Sequence, residues 1–207
     1  MILTSSSEVN EAVAVLRSGG LVAFPTETYY GLAVDPFNEQ ALDNLFRVKQ
    51  RPRRKAVLVL ISDLSQLDLL VEYIPPPYPL LMKIFWPGPL TLVFPARSTL
   101  SSHLTGGTDT IGVRLSPHPL ANDLIRAFGG PITATSANRS GDRAAECPNE
   151  ILNIFGSEID FLLGDDCTPG GAGSTLVGMQ QDKLCCIRQG CLAYSEIIQK
   201  FAAESAG

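Results

Sequence analysis

Leu21-Val22-Ala23-Phe24 runs straight into Pro25-Thr26-Glu27-Thr28-Tyr29-Tyr30-Gly31-Leu32. The apolar run is short and bounded by Gly19-Gly20 on one side and Pro25 on the other, so it predicts a buried strand over 21–24. The octad that follows predicts a hydroxyl-rich loop at the strand end, with two Thr hydroxyls, a carboxylate, two phenols and a glycine that lets backbone approach closely. Polar groups gathered beyond a buried strand end are where α/β proteins hold ligands. The same residues also suit an ordinary exit from a strand.

Working outward, Ser5 with Glu8 resembles a capping box, and Val9, Ala12, Val13 and Leu16 repeat at helical spacing before Gly19-Gly20. Asn38 caps a second helix whose Leu42, Leu45, Phe46 and Val48 form one apolar face, leaving Lys49 and Arg51 at its end or just beyond. Val57–Ile61 reads as a strand, 63–73 as a helix, 80–85 as a helix after the Pro75-Pro76-Pro77 break, and 90–94 as a strand. Thr110–Leu115 is a strand, Pro117 opens a helix to Phe128, and Ile132–Thr135 is a strand entering Ser136-Ala137-Asn138. A helix over 149–155, short strands at 159–162, 174–178 and 184–188, and a helix from Tyr194 complete the chain. Residues 164–174 are the candidate mobile loop. Interleaved strands and helices predict an α/β fold with a mixed sheet.

The chain has 207 residues, 45% of them hydrophobic and 18% charged, which suits one well-buried domain over 1–207. No apolar stretch approaches a membrane span, and Met1-Ile2-Leu3-Thr4-Ser5 lacks a basic start and apolar core, so a cytoplasmic protein is expected. Cys147, Cys167, Cys185, Cys186 and Cys191 form no CxxC pair, and their odd number fits neither a disulfide framework nor a zinc site; they read as small core or subsurface residues. His103 and His118 are the two histidines, too few for a histidine metal cluster, and each reads as a loop or helix-start residue.

The net charge is −5, yet positions 47–55 hold Arg47, Lys49, Arg51, Arg53, Arg54 and Lys55. Such a concentration in an acidic chain points to an anion. A solvated basic loop, or cations placed to complement a helix C-terminus, is the structural alternative. Neither GxxxxGK[ST] nor GxGxxG after a strand is present, so a bound nucleotide would need side chains to supply the charge. Arg and Lys serve that purpose, as planar forks and compact point charges respectively. Arg114 is the one charged residue in strand Ile111–Leu115, and a buried guanidinium needs a carboxylate, from a ligand or from a partner such as Glu27. Ser136 and Asn138 could hold phosphate or ribose, or form a plain turn.

Val48-Lys49-Gln50-Arg51-Pro52, Trp86-Pro87-Gly88-Pro89-Leu90-Thr91, Ile111-Gly112-Val113-Arg114, Thr135-Ser136-Ala137-Asn138-Arg139-Ser140-Gly141, Gly173-Ser174-Thr175-Leu176-Val177 and Ile187-Arg188-Gln189-Gly190 follow the octad in order. Together they resemble the YrdC/Sua5/TsaC family of L-threonylcarbamoyladenylate synthases over roughly residues 8–192. The resemblance implies a twisted open mixed sheet with flanking helices around a large concave cavity. It implies Lys49 and Arg51 as catalytic residues; ATP near Lys49, Arg51, Lys55, Thr110, Ser136, Asn138, Arg143 and Arg188; and L-threonine near Thr28, Arg114 and Ser174. The reaction implied joins threonine and bicarbonate to AMP from ATP, with Mg2+ on the phosphates and no protein metal ligand named. Its product would serve N6-threonylcarbamoyladenosine formation at tRNA position 37 through a separate threonylcarbamoyl transferase. This chain would be of the short type, without the C-terminal domain of longer Sua5-type members.

Two positions depart from the pattern: Leu60 stands where the family often has a polar residue, and the family's ATP-contacting Arg falls at Arg143 or Ala144. Two rivals remain: an RNA-binding module using the basic segment with Tyr29, Tyr30 and Phe46, and a relative that makes carbamoyl adenylate from carbamoyl phosphate.

Overall fold

The computed structural model describes residues 6–205. The proposed Ser5 cap lies outside them, but the helix it was to open is present as α1 (Ser6–Arg17), burying Val9, Ala12, Val13 and Leu16. After the Gly19-Gly20 break comes β1 (Val22–Pro25). Leu21 and Ala23 pack into one core, while Val22 and Phe24 pack into another. A strand covered on both faces has to be apolar at every position, which is why the run shows no alternation.

The octad is a hairpin rather than a loop. Thr26 N–H and Thr26 Oγ1 both donate to the Tyr29 carbonyl, at 3.2 and 2.7 Å, and the chain returns as β2 (Tyr30–Ala33), antiparallel to β1 with Pro25 opposite Tyr30. A Cβ on Gly31 would sit 3.0 Å from the Phe24 ring, so glycine allows the close pairing.

Helix α2 (Glu39–Lys49) begins as expected: Asn38 Oδ1 accepts from the Gln40 and Ala41 amides at 3.1 Å. It ends where Gln50 adopts a left-handed conformation, φ 51°, and the Arg51 amide donates back to the Phe46 carbonyl at 2.9 Å. The chain continues through β3 (Val59–Ile61), α3 (Tyr78–Phe85), β4 (Leu90–Pro95), the short α4 (Ser102–Thr105), β5 (Thr110–Leu115) and α5 (Pro119–Phe128). It closes with β6 (Ile132–Thr133), β7 (Thr135–Ser136), α6 (Pro148–Phe155), β8 (Phe161–Leu162), β9 (Thr175–Gln180), β10 (Lys183–Arg188) and α7 (Tyr194–Ser205).

The expected helix over 63–73 is a 3-10 turn, Leu64–Leu69, capped by Asp63. Beyond it the backbone is recruited by the end of β4: Glu72 N–H donates to the Pro95 carbonyl and Arg97 N–H to the Leu70 carbonyl, both at 3.0 Å. Tertiary pairing therefore overrides local helix propensity there.

The strands form two mixed sheets, β7-β2-β1-β8 and β10-β9-β4-β5-β3-β6, flanked by helices. The expected strand over 132–135 is divided between them: β6 pairs with β3, β7 pairs with β2, and the intervening Ala134 amide donates to the Leu58 carbonyl at 2.8 Å. This crossing from one sheet to the other delivers Ser136 and Asn138 beside the hairpin. In the larger core, Tyr78 packs edge-on against Phe94 at 4.9 Å, an arrangement contributing about 0.5–1.5 kcal/mol beyond area burial.

Candidate active site

A cavity of about 630 Å3 is lined by residues from both sheets and the loops between them. Thr28, Arg51, Thr110, Arg114, Ser136, Asn138, Arg143, Ser174 and Arg188, separated by as much as 160 positions in the chain, all line it. Its size falls in the usual range for small-ligand sites, roughly 300–1,000 Å3.

Thr28 is placed by the hairpin turn, its hydroxyl 3.1 Å from Thr26 Oγ1 and its carbonyl accepting from Gly170 N–H at 2.8 Å. Arg114, near the end of β5, is 3% exposed and its Nη1 lies 3.2 Å from Glu27 Oε1. The internal ion pair expected as the structural alternative therefore exists, and the same guanidinium also lines the cavity. Burial pushes Arg114 below its ordinary value, and Glu27 opposes that shift. Ser174, just before β9, shares a hydrogen bond with Thr91 Oγ1 at 2.8 Å, and its carbonyl accepts from Arg188 Nη2 at 3.0 Å. A Cβ on Gly190 would lie 2.2 Å from the Gly173 carbonyl oxygen, so glycine lets the two segments that carry Ser174 and Arg188 touch.

Arg51 reaches the cavity while its Nη2 donates to the Ala56 carbonyl at 2.7 Å. Desolvation lowers it, and Arg188 lowers it further; with both guanidinium groups lining the cavity, the pair offers concentrated positive charge to an anion. Ser136 Oγ donates to Asn138 Oδ1 at 2.7 Å, while Asn138 Nδ2 donates to the Asp142 carbonyl at 2.7 Å. Arg143 lines the cavity as an exposed side chain paired with Glu146 at 2.9 Å, whereas Ala144, which also lines it, offers no charge.

Lys49 and Lys55 are placed elsewhere. Lys49 is 1% exposed: its ammonium donates to the Ser136 carbonyl, to the Asn138 carbonyl at 2.8 Å and to Asn138 Oδ1 at 3.1 Å, holding the loop from behind. Burial first, then Arg51 and Arg139, push it down to about 7. Lys55 is exposed in a turn closed by its own amide on the Pro52 carbonyl at 3.0 Å. The rest of the basic segment is partly spent locally: Arg53 pairs with Asp43 at 2.9 Å and Arg47 donates to Asn44 at 2.7 Å. A smaller hollow of about 340 Å3, lined by Asp43, Arg47 and Arg53 among others, shares Arg51 with the main cavity.

Leu60 is fully buried in the smaller core and does not reach the cavity; Leu58 does. Thr26, Thr91, Thr108, Asp142 and Gln189 also line the cavity and were not singled out from sequence, and Tyr29, named there only for the RNA-binding rival, lines it too. Thr26, Tyr29, Thr91 and Gln189 lie inside the motifs quoted above. Cys147 and Cys167, expected with the other cysteines as small core or subsurface residues outside any disulfide framework, form a disulfide; Cys186 and Cys191 are exposed. Spacing alone carried no sign of that pairing, because the partners meet only when residues 164–174 fold back on the start of α6. No helix among the described residues is long and apolar enough to cross a membrane.

The Sua5/YciO/YrdC family model, described as "Telomere recombination", matches residues 14–190. The chain is 36% identical over 190 residues to the threonylcarbamoyl-AMP synthase of Pyrococcus abyssi, covering 92% of this chain and 56% of that protein. It is 39% identical over 160 residues to the threonylcarbamoyl-AMP synthase of Halorhodospira halophila, covering 77% of this chain and 84% of that one. Among solved structures it is similar to P. abyssi Sua5 complexed with L-threonine, with a TM-score of 0.89 at 35% identity over 93% of this chain and 56% of that one. It thus spans about half the length of the archaeal relative and most of the length of the bacterial one. E. coli YciO, at 23% identity and a TM-score of 0.83, shares the fold. With the ordered motifs, the two-sheet cavity and a family model covering most of its length, this chain belongs to the Sua5/YciO/YrdC family.

Proposed function

We propose that the chain is an L-threonylcarbamoyladenylate synthase, forming threonylcarbamoyl-AMP and pyrophosphate from L-threonine, bicarbonate and ATP. The observation that carries this reading is the convergence on one cavity of Arg114 beside Thr28 and Ser174 with Arg51, Arg188, Ser136 and Asn138. Similarity to curated threonylcarbamoyl-AMP synthases supports it. Arg114 would orient the threonine carboxylate, with the Thr28 and Ser174 hydroxyls beside it. The threonine amine condenses with bicarbonate, releasing water, to give a carbamate, whose oxygen attacks the α-phosphorus of ATP and expels pyrophosphate. No side chain needs covalent modification. The chain's contribution is to bring two anions together and offset phosphate charge with Arg51 and Arg188.

Magnesium belongs to the reading as the companion of ATP. The donor set fits an ion held mainly by phosphates and water: the lining offers the Asp142 carboxylate, Asn138 and several hydroxyls alongside its guanidinium groups. Asp142 and Asn138 would stand beside such an ion, whose chemistry when bound with ATP would be to offset negative charge on the phosphates. The product would pass to a separate tRNA threonylcarbamoyl transferase for N6-threonylcarbamoyladenosine at tRNA position 37, in the cytoplasm.

The test is ATP-dependent pyrophosphate release. It is expected with threonine, bicarbonate and magnesium together and not when any one is omitted. Release with carbamoyl phosphate in place of threonine and bicarbonate, or binding to RNA with no turnover, would replace this reading with one of its rivals.

A further inference from the structure

Behind Arg114, where it lines the cavity, lies a largely buried polar chain that the reaction above does not use. Glu27 Oε1 faces Arg114 Nη1 at 3.2 Å, and Glu27 Oε2 accepts from Ser116 Oγ. Ser116 is in turn fixed to the start of α5: its Oγ accepts from His118 N–H at 3.2 Å and its carbonyl accepts from Asn122 Nδ2 at 2.9 Å. The carboxylate is therefore tethered to the backbone frame and not free to follow Arg114. Glu27 Oε1 and Arg114 Nε are both buried with no hydrogen-bond partner, and an unpartnered Nε costs free energy unless something arrives to accept from it.

A guanidinium presents a carboxylate with two forked edges, Nη1 with Nη2 at its end and Nε with Nη2 along its side. Glu27 Oε1 stands against Nη1 as an ion pair at 3.2 Å without hydrogen-bond geometry, and so keeps a second carboxylate off the end-on edge. What remains is the side-on pair, whose Nε is the unsatisfied donor.

We propose that Glu27 is the positioning residue of Arg114: it blocks the end-on edge and leaves the Nε–Nη2 edge for an incoming α-carboxylate. This rests on the reading that Arg114 takes the carboxylate of threonine. It also implies that orientation outweighs charge at this position, because Glu27 places a second negative group beside the one to be bound.

Glu27→Ala and Glu27→Gln separate orientation from charge, since the Gln amide oxygen can still occupy Nη1 without a negative charge. Steady-state kinetics of the full chain should show Glu27→Ala raising KM for threonine about tenfold or more, the scale of a lost charge-assisted contact, with KM for ATP and kcat at saturating threonine within about threefold. Glu27→Gln should recover most of that loss. Unchanged or tighter threonine binding in Glu27→Ala, or equal losses in the Ala and Gln variants, would overturn the proposal. If Glu27→Ala does not fold, Ser116→Ala decides: a rise in threonine KM with unchanged ATP KM supports the tether, and wild-type values overturn it. Arg114→Lys distinguishes this from the underlying reading. It keeps the charge but loses the fork, so unchanged threonine affinity there removes the carboxylate from Arg114 altogether. Loss at Arg114→Lys with wild-type behaviour at Glu27→Ala overturns only the positioning role.

Discussion

Lys49 and Asn138 are joined twice, the Lys49 ammonium donating to the Asn138 carbonyl at 2.8 Å and to its side-chain oxygen at 3.1 Å, yet of the two only Asn138 lines the cavity. The lysine at the end of α2 thus fixes the loop whose outer side carries Ser136 and Asn138. The ammonium expected beside the phosphates is here bound to that loop and does not line the cavity.

That burial carries a pH signature. Lys49 sits at about 7 in the folded chain against 10.5 as an ordinary lysine, so between those values the unfolded chain binds more protons than the folded one. Stability from this group therefore rises with pH across that window, by at most about 1.4 kcal/mol per pH unit, and the full cost of burying the ammonium is present below pH 7. Denaturant unfolding of wild type and Lys49→Met at pH 7 and pH 9 checks it. The difference, wild type minus variant, should increase toward pH 9; parallel pH profiles would show that Lys49 does not titrate there.

Arg51 and Lys55 lie four residues apart and should differ sharply. Arg51 lines the cavity under the influence of Arg188, whereas Lys55 stands in solvent. Arg51→Ala should lower kcat/KM for ATP about tenfold or more, as for loss of a charge-assisted phosphate contact, with Lys55→Ala within about threefold. Equal losses would mean that the segment closes on ATP and brings Lys55 with it.

The Cys147–Cys167 bond pins residues 164–174, which also hold the hairpin through Gly170 N–H on the Thr28 carbonyl and Tyr30 Oη on the Asp166 carbonyl, both at 2.8 Å. Unfolded without reductant, the oxidised chain should therefore expose only the thiols of Cys185, Cys186 and Cys191. Cys147→Ser should lose roughly 3 kcal/mol of stability, the chain-entropy value for a loop of this length, and should be cut faster within 164–174 by a protease. Five titratable thiols in the oxidised chain would remove the bond from the account.

Much was legible because it depends on local chemistry. Asn38 caps α2 since its side chain reaches amides two and three residues on, and Leu42, Leu45, Phe46 and Val48 recur at helical spacing. The run at 21–24 reads as a strand because both its faces are buried. Leu64–Leu69 was misread as part of a longer helix because the deciding partner, the end of β4, is more than 20 residues away. The hairpin at 26–29 was missed because polar side chains that turn the backbone look the same in sequence as those that bind a ligand.

Motif order pointed to the family and to most of the side chains that gather at the cavity, because each motif needs its residue types close together along the chain. Which of them face the cavity was decided only by tertiary structure. The crossing at Ala134 carries Ser136 and Asn138 from one sheet to the other, and their carbonyls capture Lys49 from behind. Ser116 tethers Glu27, and Glu27 takes one edge of Arg114 from 87 residues away. The Cys147–Cys167 pair forms only where a returning loop meets a helix start. In each case the deciding partner is distant in sequence, and the cost of leaving a buried charge or donor unpaired selects among arrangements only after the chain has folded around it.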